Sequence, residues 1–244
     1  MSTALVTGAT RGLGMAASRA LAEAGNRVLL TGRTSADTER AEDSLRREGL
    51  DVQALELDVT SPSSVRAAAR EVEQRQGYID VLVNNAGILP EATDAAERQF
   101  ANPDLFQPTF ATNLFGTVAV TEAFLPLLRH STAGRIVNVS TTMGSLNDQA
   151  DPDSPYYGMV VPAYQSSKAA LNSVTISLAK SLADTDIKVT SVCPGFVQTD
   201  LTPVNKEQAP LTPEQAARII VTAATLPADA DSGTFIDDNG RVSW

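Results

Sequence analysis

A single cysteine, Cys193, and a single histidine, His130, stand in a chain of 244 residues. One cysteine excludes an internal disulfide and a thiolate metal cluster. One histidine is too few for a His-rich metal site, and His130 follows Arg129 in a polar stretch, where a solvated residue at a helix end is expected. A Ser-His-Asp hydrolase would have to use that histidine, and no Gly-x-Ser-x-Gly elbow accompanies it. Positive charge is also scarce: 19 basic residues against 29 acidic ones leave a net charge of −10. Such a surface repels phosphate backbones and anionic lipid, so neither nucleic acid nor a membrane is expected as a partner. A phosphate-bearing ligand would need a local positive spot. No uninterrupted apolar run approaches a membrane span, and no basic-then-apolar leader precedes Thr3-Ala-Leu-Val-Thr7. A cytoplasmic protein is expected.

What is present is an ordinary hydrophobic share, 43%, at a length sufficient for one large core. Short β-branched runs alternate with longer Ala-rich amphipathic segments. Strands are expected at Thr3–Thr7, Arg27–Thr31, Val52–Leu57, Ile79–Asn84, Arg135–Val139, Ile187–Cys193 and Thr234–Ile236. Helices are expected at Leu13–Ala24, Ala36–Glu48, Ser64–Arg75, Leu105–Leu128, Ala163–Ala183 and Pro213–Leu226. The strands are near-continuous apolar runs, as in a parallel sheet covered on both faces. About seven strands alternating with six helices predict a doubly wound, Rossmann-type α/β sheet with helices on both faces. No linker-like shift or repeat divides the chain, so residues 1–244 read as one domain. Two polar, Pro-containing stretches, Leu89–Pro103 and Ser145–Val161, each follow the end of a strand. Ligands bind outside the carboxyl ends of such strands, so both are candidate walls of a pocket.

Between the first strand and first helix stands Thr7-Gly8-Ala9-Thr10-Arg11-Gly12-Leu13-Gly14. Glycines there let the backbone approach a pyrophosphate, and the helix N-terminus offers free N–H groups. Its position after the first strand favours a dinucleotide over an ordinary strand-to-helix loop, and no Gly-Lys-Ser/Thr follows as in a nucleoside-triphosphate loop. The second strand ends Leu30-Thr31-Gly32-Arg33, without the acidic residue that selects NAD through its ribose hydroxyls. Arg33 and Arg11 are instead suited to grip the 2′-phosphate of NADP. Asp58, followed by Val59, is placed either to accept a bond from the adenine amino group or to serve the turn before the next helix. A second cluster, Tyr164-Gln-Ser-Ser-Lys168, puts a phenol and an ammonium on one helix face. A nearby cation favours the phenolate and would lower the tyrosine pKa toward neutrality, making it a usable general acid or base.

Together the two clusters make the chain resemble the short-chain dehydrogenase/reductase family, in its carbonyl-reductase-like branch, over nearly the whole length. The pieces that carry the resemblance are Thr7-Gly8-x-x-x-Gly12-x-Gly14, Asn84-Asn85-Ala86-Gly87, Asn113, the Ser140-Thr141 pair, Tyr164-x-x-x-Lys168 and Pro194-Gly195. The resemblance implies that Tyr164 gives a proton to a carbonyl oxygen and that Lys168 binds the nicotinamide ribose. It implies that Asn113 holds a water linking Lys168 to solvent. Asn85, Ala86 and Gly87 would line the adenosine side; Pro194, Gly195 and Val197 would flank the nicotinamide, with Thr199 on its carboxamide. At the family's substrate-orienting serine this chain has Thr141, with Ser140 just before it, and either hydroxyl is open to the role. The stretch from Thr141 to Tyr164 is longer than the usual family pattern. Similar insertions in that branch cover a tetramer face, so monomer or homodimer is favoured over tetramer. The reading is an NADP(H)-dependent oxidoreductase acting on a small apolar ketone, aldehyde or alcohol, without a metal. The side chains expected near that substrate are Ile88, Leu89, Met143, Tyr157, Met159 and Phe196. A catalytically idle NADP-binding sensor on the same fold is the alternative, and a nucleotide-sugar epimerase ranks below both.

Overall fold

In a computed structural model of the chain, residues 1–95 and 99–244 are described. The strands are β1 (Thr3–Val6), β2 (Arg27–Gly32), β3 (Val52–Glu56), β4 (Val81–Asn84), β5 (Arg135–Val139), β6 (Lys188–Val192), β7 (Thr234–Asp237) and β8 (Gly240–Arg241). They form one sheet in the order β3-β2-β1-β4-β5-β6-β7-β8. β1 to β7 pair in parallel, and β8 turns back antiparallel on β7. The strand count is therefore eight where the sequence suggested about seven. The addition is a two-residue strand, too short for any periodic signal, folded back through Asp238-Asn239-Gly240, whose Gly240 adopts φ 120°.

The chain winds from β1 outward to β3, then returns to β4 on the other side of β1. The switch point thus lies between the ends of β1 and β4, where a crevice opens in this topology. Alternation along each strand feeds two cores. Ala4, Val6, Val81 and Val83 face the helices α1 (Gly12–Glu23), α2 (Ser35–Arg47) and α9 (Pro213–Ala224). Leu5, Leu82 and Ile136 face α3 (Pro62–Arg75), α5 (Thr117–Leu128) and α7 (Pro162–Ser181). Each fully buried aliphatic side chain contributes about 1.5–3 kcal/mol of transfer free energy. That burial holds both helix layers to the sheet.

The single helix expected over Leu105–Leu128 is interrupted. A 3₁₀ turn (Pro103–Leu105) leads into α4 (Phe106–Phe110), then a π-helical turn (Ala111–Gly116), then α5. The polar residues that interrupt its apolar character point inward, where Asn113, Thr117 and Thr121 are buried. The 26 residues Pro103–Leu128 are nevertheless long and apolar enough to cross a membrane by length and composition, against the expectation from uninterrupted runs. Val120, Phe124, Leu127 and Leu128 are buried in the core, as in an internal helix. Within the two aperiodic stretches lie a 3₁₀ turn (Pro90–Thr93) and α6 (Leu146–Ala150), the latter capped by the Ser145 hydroxyl. Residues 96–98 of the first stretch lie outside the described residues. A short α8 (Asn205–Gln208) follows β6.

Candidate active site

The glycine turn is built by close approach. A Cβ on Gly14 would stand 2.3 Å from the Gly8 carbonyl oxygen and 2.5 Å from Asn85 Nδ2, so only glycine fits. Asn85 donates from Nδ2 to the carbonyls of Thr7 (2.9 Å) and Gly8 (3.2 Å). The Thr7 hydroxyl in turn accepts from the Asn85 N–H (2.9 Å) and the Ala86 N–H (3.0 Å). These bonds lock the ends of β1 and β4 together at the switch point. The N-terminus of α1 has no side-chain cap and no acidic residue in its first turn. Its free N–H groups form an anion-receptive end.

Other predicted cofactor contacts surround this turn. A Cβ on Gly32 would meet the Thr10 methyl at 2.4 Å, and one on Gly12 would meet Thr199 at 3.4 Å. The Thr10 side chain therefore abuts the end of β2, and the segment after β6 folds back over the turn. Leu13 is half-buried beside the α1 core. Arg11 and Arg33 are exposed, and neither makes a hydrogen bond or ion pair among the described residues. Asp58 uses Oδ1 for the Thr60 N–H (2.9 Å) and hydroxyl (2.7 Å), so this carboxylate serves the turn before α3. Val59 packs against Gly116 of the π turn. Beyond β6, Pro194 is half-buried, Gly195 takes φ 81°, and Val197 is buried and bridged to Leu211.

The second cluster converges from four elements. Tyr164 and Lys168 sit on one face of α7, 7% and 4% exposed. The Lys168 ammonium lies 5.8 Å from the Tyr164 ring centroid and donates to the Val139 carbonyl at the end of β5 (2.7 Å). Asn113, in the π turn, is fully buried. Its Oδ1 accepts from the Ile88 N–H (2.8 Å), and its Nδ2 donates to the Ile88 carbonyl (3.0 Å) and the Ser167 hydroxyl (3.1 Å). The Ser167 hydroxyl donates to the Tyr164 carbonyl (2.7 Å). A Cβ on Gly87 would lie 3.5 Å from Asn113 Oδ1 and 3.6 Å from Lys168 Nζ, which brings the end of β4 into the same cluster. Insertion of a π turn is a recurrent feature of functional sites; here it seats Asn113 between Ile88 and α7.

The electrostatics of the pair differ from the sequence expectation. Burial raises the Tyr164 pKa above its ordinary value, with the buried Cys193 thiol adding to the effect. Burial also lowers Lys168 to about 8. Desolvation outweighs the attraction between phenolate and ammonium because both groups are out of water. Burial thus favours the neutral phenol on Tyr164 and loosens the proton on Lys168.

Ser140 and Thr141 follow β5. The Ser140 hydroxyl is buried without a hydrogen-bond partner among the described residues. Thr141 is half-buried, and its hydroxyl accepts from the Met143 N–H (3.2 Å) at the start of a 3₁₀ turn, Thr142–Gly144. Of the apolar side chains expected around a substrate, Met143 is buried in this turn, Ile88 and Leu89 are half-buried, and Tyr157, Met159 and Phe196 are exposed. Sequence reading missed Glu91. Its carboxylate accepts from the N–H groups of Ala163 (2.9 Å) and Tyr164 (2.8 Å), across more than seventy residues. No local pattern announces such a cap, because the acceptor lies in a different loop from the helix it serves.

The profile of the short chain dehydrogenase family matches residues 2–210. The chain is a short-chain dehydrogenase. It is 35% identical to the short-chain dehydrogenase anuI of Penicillium roqueforti (strain FM164) over 98% of this chain and 94% of that protein. It is 33% identical to (+)-neomenthol dehydrogenase of Arabidopsis thaliana, over 95% of this chain and 94% of that one. Among solved structures, the NADPH-bound carbonyl reductase from chicken fatty liver superposes with a TM-score of 0.85, at 25% identity, over 100% of this chain and 99% of the other. Membership makes this short-chain dehydrogenase an oxidoreductase of a family that binds NAD(P) and acts on small carbonyl or alcohol substrates.

Proposed function

We propose that this short-chain dehydrogenase is an NADPH-dependent carbonyl reductase of small apolar ketones or aldehydes, running the alcohol oxidation in reverse. The observation that carries the reading is the buried phenol of Tyr164 with the Lys168 ammonium 5.8 Å from its ring, at the crevice that the glycine turn opens. The residues fit the cofactor: Gly14 leaves no room for a side chain, Gly8 and Gly12 take positive φ (62° and 54°), and the uncapped start of α1 faces them. Arg11 and Arg33, both exposed and without ion-pair partners among the described residues, suit the 2′-phosphate. Thr10, Leu13, Asp58 and Val59 would border the adenosine half with Asn85, Ala86 and Gly87. Pro194, Gly195, Val197 and Thr199 would border the nicotinamide.

NADPH, when bound, supplies the hydride that reduces the carbonyl carbon. The carbonyl oxygen takes its proton from the Tyr164 hydroxyl, which burial keeps protonated. Lys168 stabilises the resulting tyrosinate and holds the ribose hydroxyls. The side-chain amide of Asn113 is committed to Ile88 and Ser167, so a water relaying a proton to Lys168 would use its backbone carbonyl, which also accepts from the Thr117 hydroxyl (3.3 Å). Thr141 orients the carbonyl, leaving Ser140 buried beneath. Kinship with a neomenthol dehydrogenase supports an apolar substrate, and kinship with a carbonyl reductase supports reduction of a carbonyl. A lone, unpaired cysteine suits the reducing cytoplasm. The long segment between Thr141 and Tyr164 supports a monomer or homodimer.

Tyr164→Phe removes the proton donor and little volume. NADPH should still bind, while turnover of a ketone panel falls about 10²-fold or more. Parent-level turnover would remove the proton donor from the mechanism and favour an idle NADP-binding sensor.

A further inference from the structure

We infer that Glu91 is a positioning residue for Tyr164, seating the first turn of α7 through a carboxylate delivered from the loop after β4. The inference rests on Tyr164 being the proton donor. The first N–H groups of a helix have no partner within it and must be satisfied from outside. Here the first helical residue is Pro162, which has no N–H, and Val161 at the cap position offers no side-chain acceptor. The first intrahelical bond runs from the Gln165 N–H to the Val161 carbonyl (2.9 Å). Two donors remain, on Ala163 and Tyr164, and Glu91 takes one on each carboxylate oxygen. Glu91 thereby takes both free N–H groups inside the first turn, while the Val161 N–H at the cap position is held by Gln165 Oε1 (3.1 Å).

Glu91 does not stand alone. Three residues earlier, Ile88 has both its N–H and its carbonyl held by Asn113. Asn113 also reaches Ser167, whose hydroxyl holds the Tyr164 carbonyl. Residue 164 is thus gripped at both its N–H and its carbonyl, and both grips run back to residues 88–91. The segment that ends β4 at the switch point is rigidly tied to the backbone that carries the phenol. A bidentate, charge-assisted cap is stronger than a hydroxyl cap and fixes direction as well as distance. Misplacing a reacting group by about 1 Å can cost about 10²-fold in rate.

The same carboxylate also carries charge. A negative group at a helix N-terminus offsets the positive end of the dipole. Removing it leaves that positive end acting on Tyr164 alongside Lys168, against the opposing effect of burial and of Cys193, and shifts the balance toward the phenolate. Reduction needs the protonated phenol, so the alkaline limb of its pH profile moves to lower pH when the charge is lost.

Three variants test this, with NADPH and a ketone turned over by the enzyme. Glu91→Gln keeps the size, accepts from only one of the two N–H groups and removes the charge. It should lower kcat about tenfold or more, leave the Kd for NADPH within about twofold, and move the alkaline limb down by about half a pH unit. Glu91→Asp keeps the charge but is one methylene short: kcat should fall while the limb stays in place. Amide exchange at Ala163 and Tyr164 should quicken in both variants, independently of turnover. Parent kcat and an unmoved limb in Glu91→Gln, beside an inactive Tyr164→Phe, would overturn the inference alone. Equal losses of kcat, NADPH affinity and global stability would reduce Glu91 to a structural cap and overturn it too. Full activity of Tyr164→Phe would instead sink the proton-donor reading on which it rests.

Discussion

Ser140 and Thr141 are neighbours in the chain with different surroundings. Along extended backbone, successive side chains point to opposite faces. One hydroxyl is therefore buried without a partner among the described residues, while the other accepts from the Met143 N–H and keeps its own proton free to donate. The sequence placed the strand end at Val139 and the resemblance put Thr141 at the orienting position, but the 3₁₀ turn Thr142–Gly144 that engages the Thr141 hydroxyl left no periodic signal. Loss of one positioned donor to a developing oxyanion costs about 10²–10³ in rate. Thr141→Val should fall by that much, Thr141→Ser should stay near the parent, and Ser140→Ala should cost far less. A crippled Ser140→Ala with an active Thr141→Val would reverse the assignment. Lys168 supplies a second prediction. Its pKa is about 8 in the fold against an ordinary 10.5, so between those values the unfolded chain binds more protons than the folded one. Stability contributed by this group therefore rises as pH climbs through that window and is constant below it. The urea midpoint of the parent should gain on that of Lys168→Met between pH 7 and 9.5. An unchanged difference would mean that Lys168 is not desolvated in solution. The raised pKa of Tyr164 acts in the opposite sense only above its ordinary value of 10.0, beyond the upper end of the titration at pH 9.5.

At the scale of elements, the alternation of strands and helices was legible because burial on both faces writes long apolar runs and amphipathic helices write a 3.6-residue period. The π turn was not, since inserting one residue into a helical turn leaves the apolar pattern on either side nearly intact. Nor was the cap from Glu91, whose partners lie far along the chain. The polar rung across β4, β5 and β6 was equally hidden, although each of its residues was plain in the sequence. Asn84 pairs in register with Asn138, and Asn138 with Ser191. Asn84 Nδ2 donates to Thr121 of α5 (3.1 Å) and to Asn138 Oδ1 (2.9 Å); Asn138 Nδ2 donates to Thr175 of α7 (2.8 Å). The Thr175 hydroxyl also pairs with that of Ser191 (2.9 Å). The rung fixes the depth of α7 on the sheet two turns beyond Lys168, complementing the grip at its N-terminus. Thr175→Val preserves shape but strands a buried amide hydrogen and a buried hydroxyl, at about 1–3 kcal/mol. Chemical denaturation should report that loss, and a change within about 0.5 kcal/mol would show that the rung has other partners.

At the scale of the whole molecule, the chain presents a net charge of −10 to a cofactor that is itself anionic. Long-range repulsion acts on NADH and NADPH alike, and more strongly on the one with the extra phosphate. Preference for NADPH therefore has to come from a local field strong enough to reverse the global one. The sequence made this visible by what it omits at the end of β2, an acidic residue, and by the two arginines it places around the turn. Arg11 and Arg33 are exposed and without ion-pair partners among the described residues. Their charge is open to solvent and to a ligand, with that of Arg11 partly offset by Asp37 and Asp200 nearby. A charge-assisted contact of that kind is worth about 1.5–3 kcal/mol, or roughly ten- to a hundredfold in preference. Arg33→Ala should remove most of the preference by weakening NADPH and leave NADH nearly unchanged. Because the contact is exposed, salt screens it: a Debye length near 10 Å at 0.1 M shrinks to about 3 Å at 1 M. The NADPH:NADH ratio of the parent should fall as salt rises, whereas that of Arg33→Ala should rise slightly as screening relieves the net repulsion. Opposite slopes of the two proteins, measured by titrating each cofactor at several ionic strengths, separate the local term from the global one. Parallel slopes with equal loss for both cofactors would make Arg33 a support of the turn rather than a selector of the phosphate.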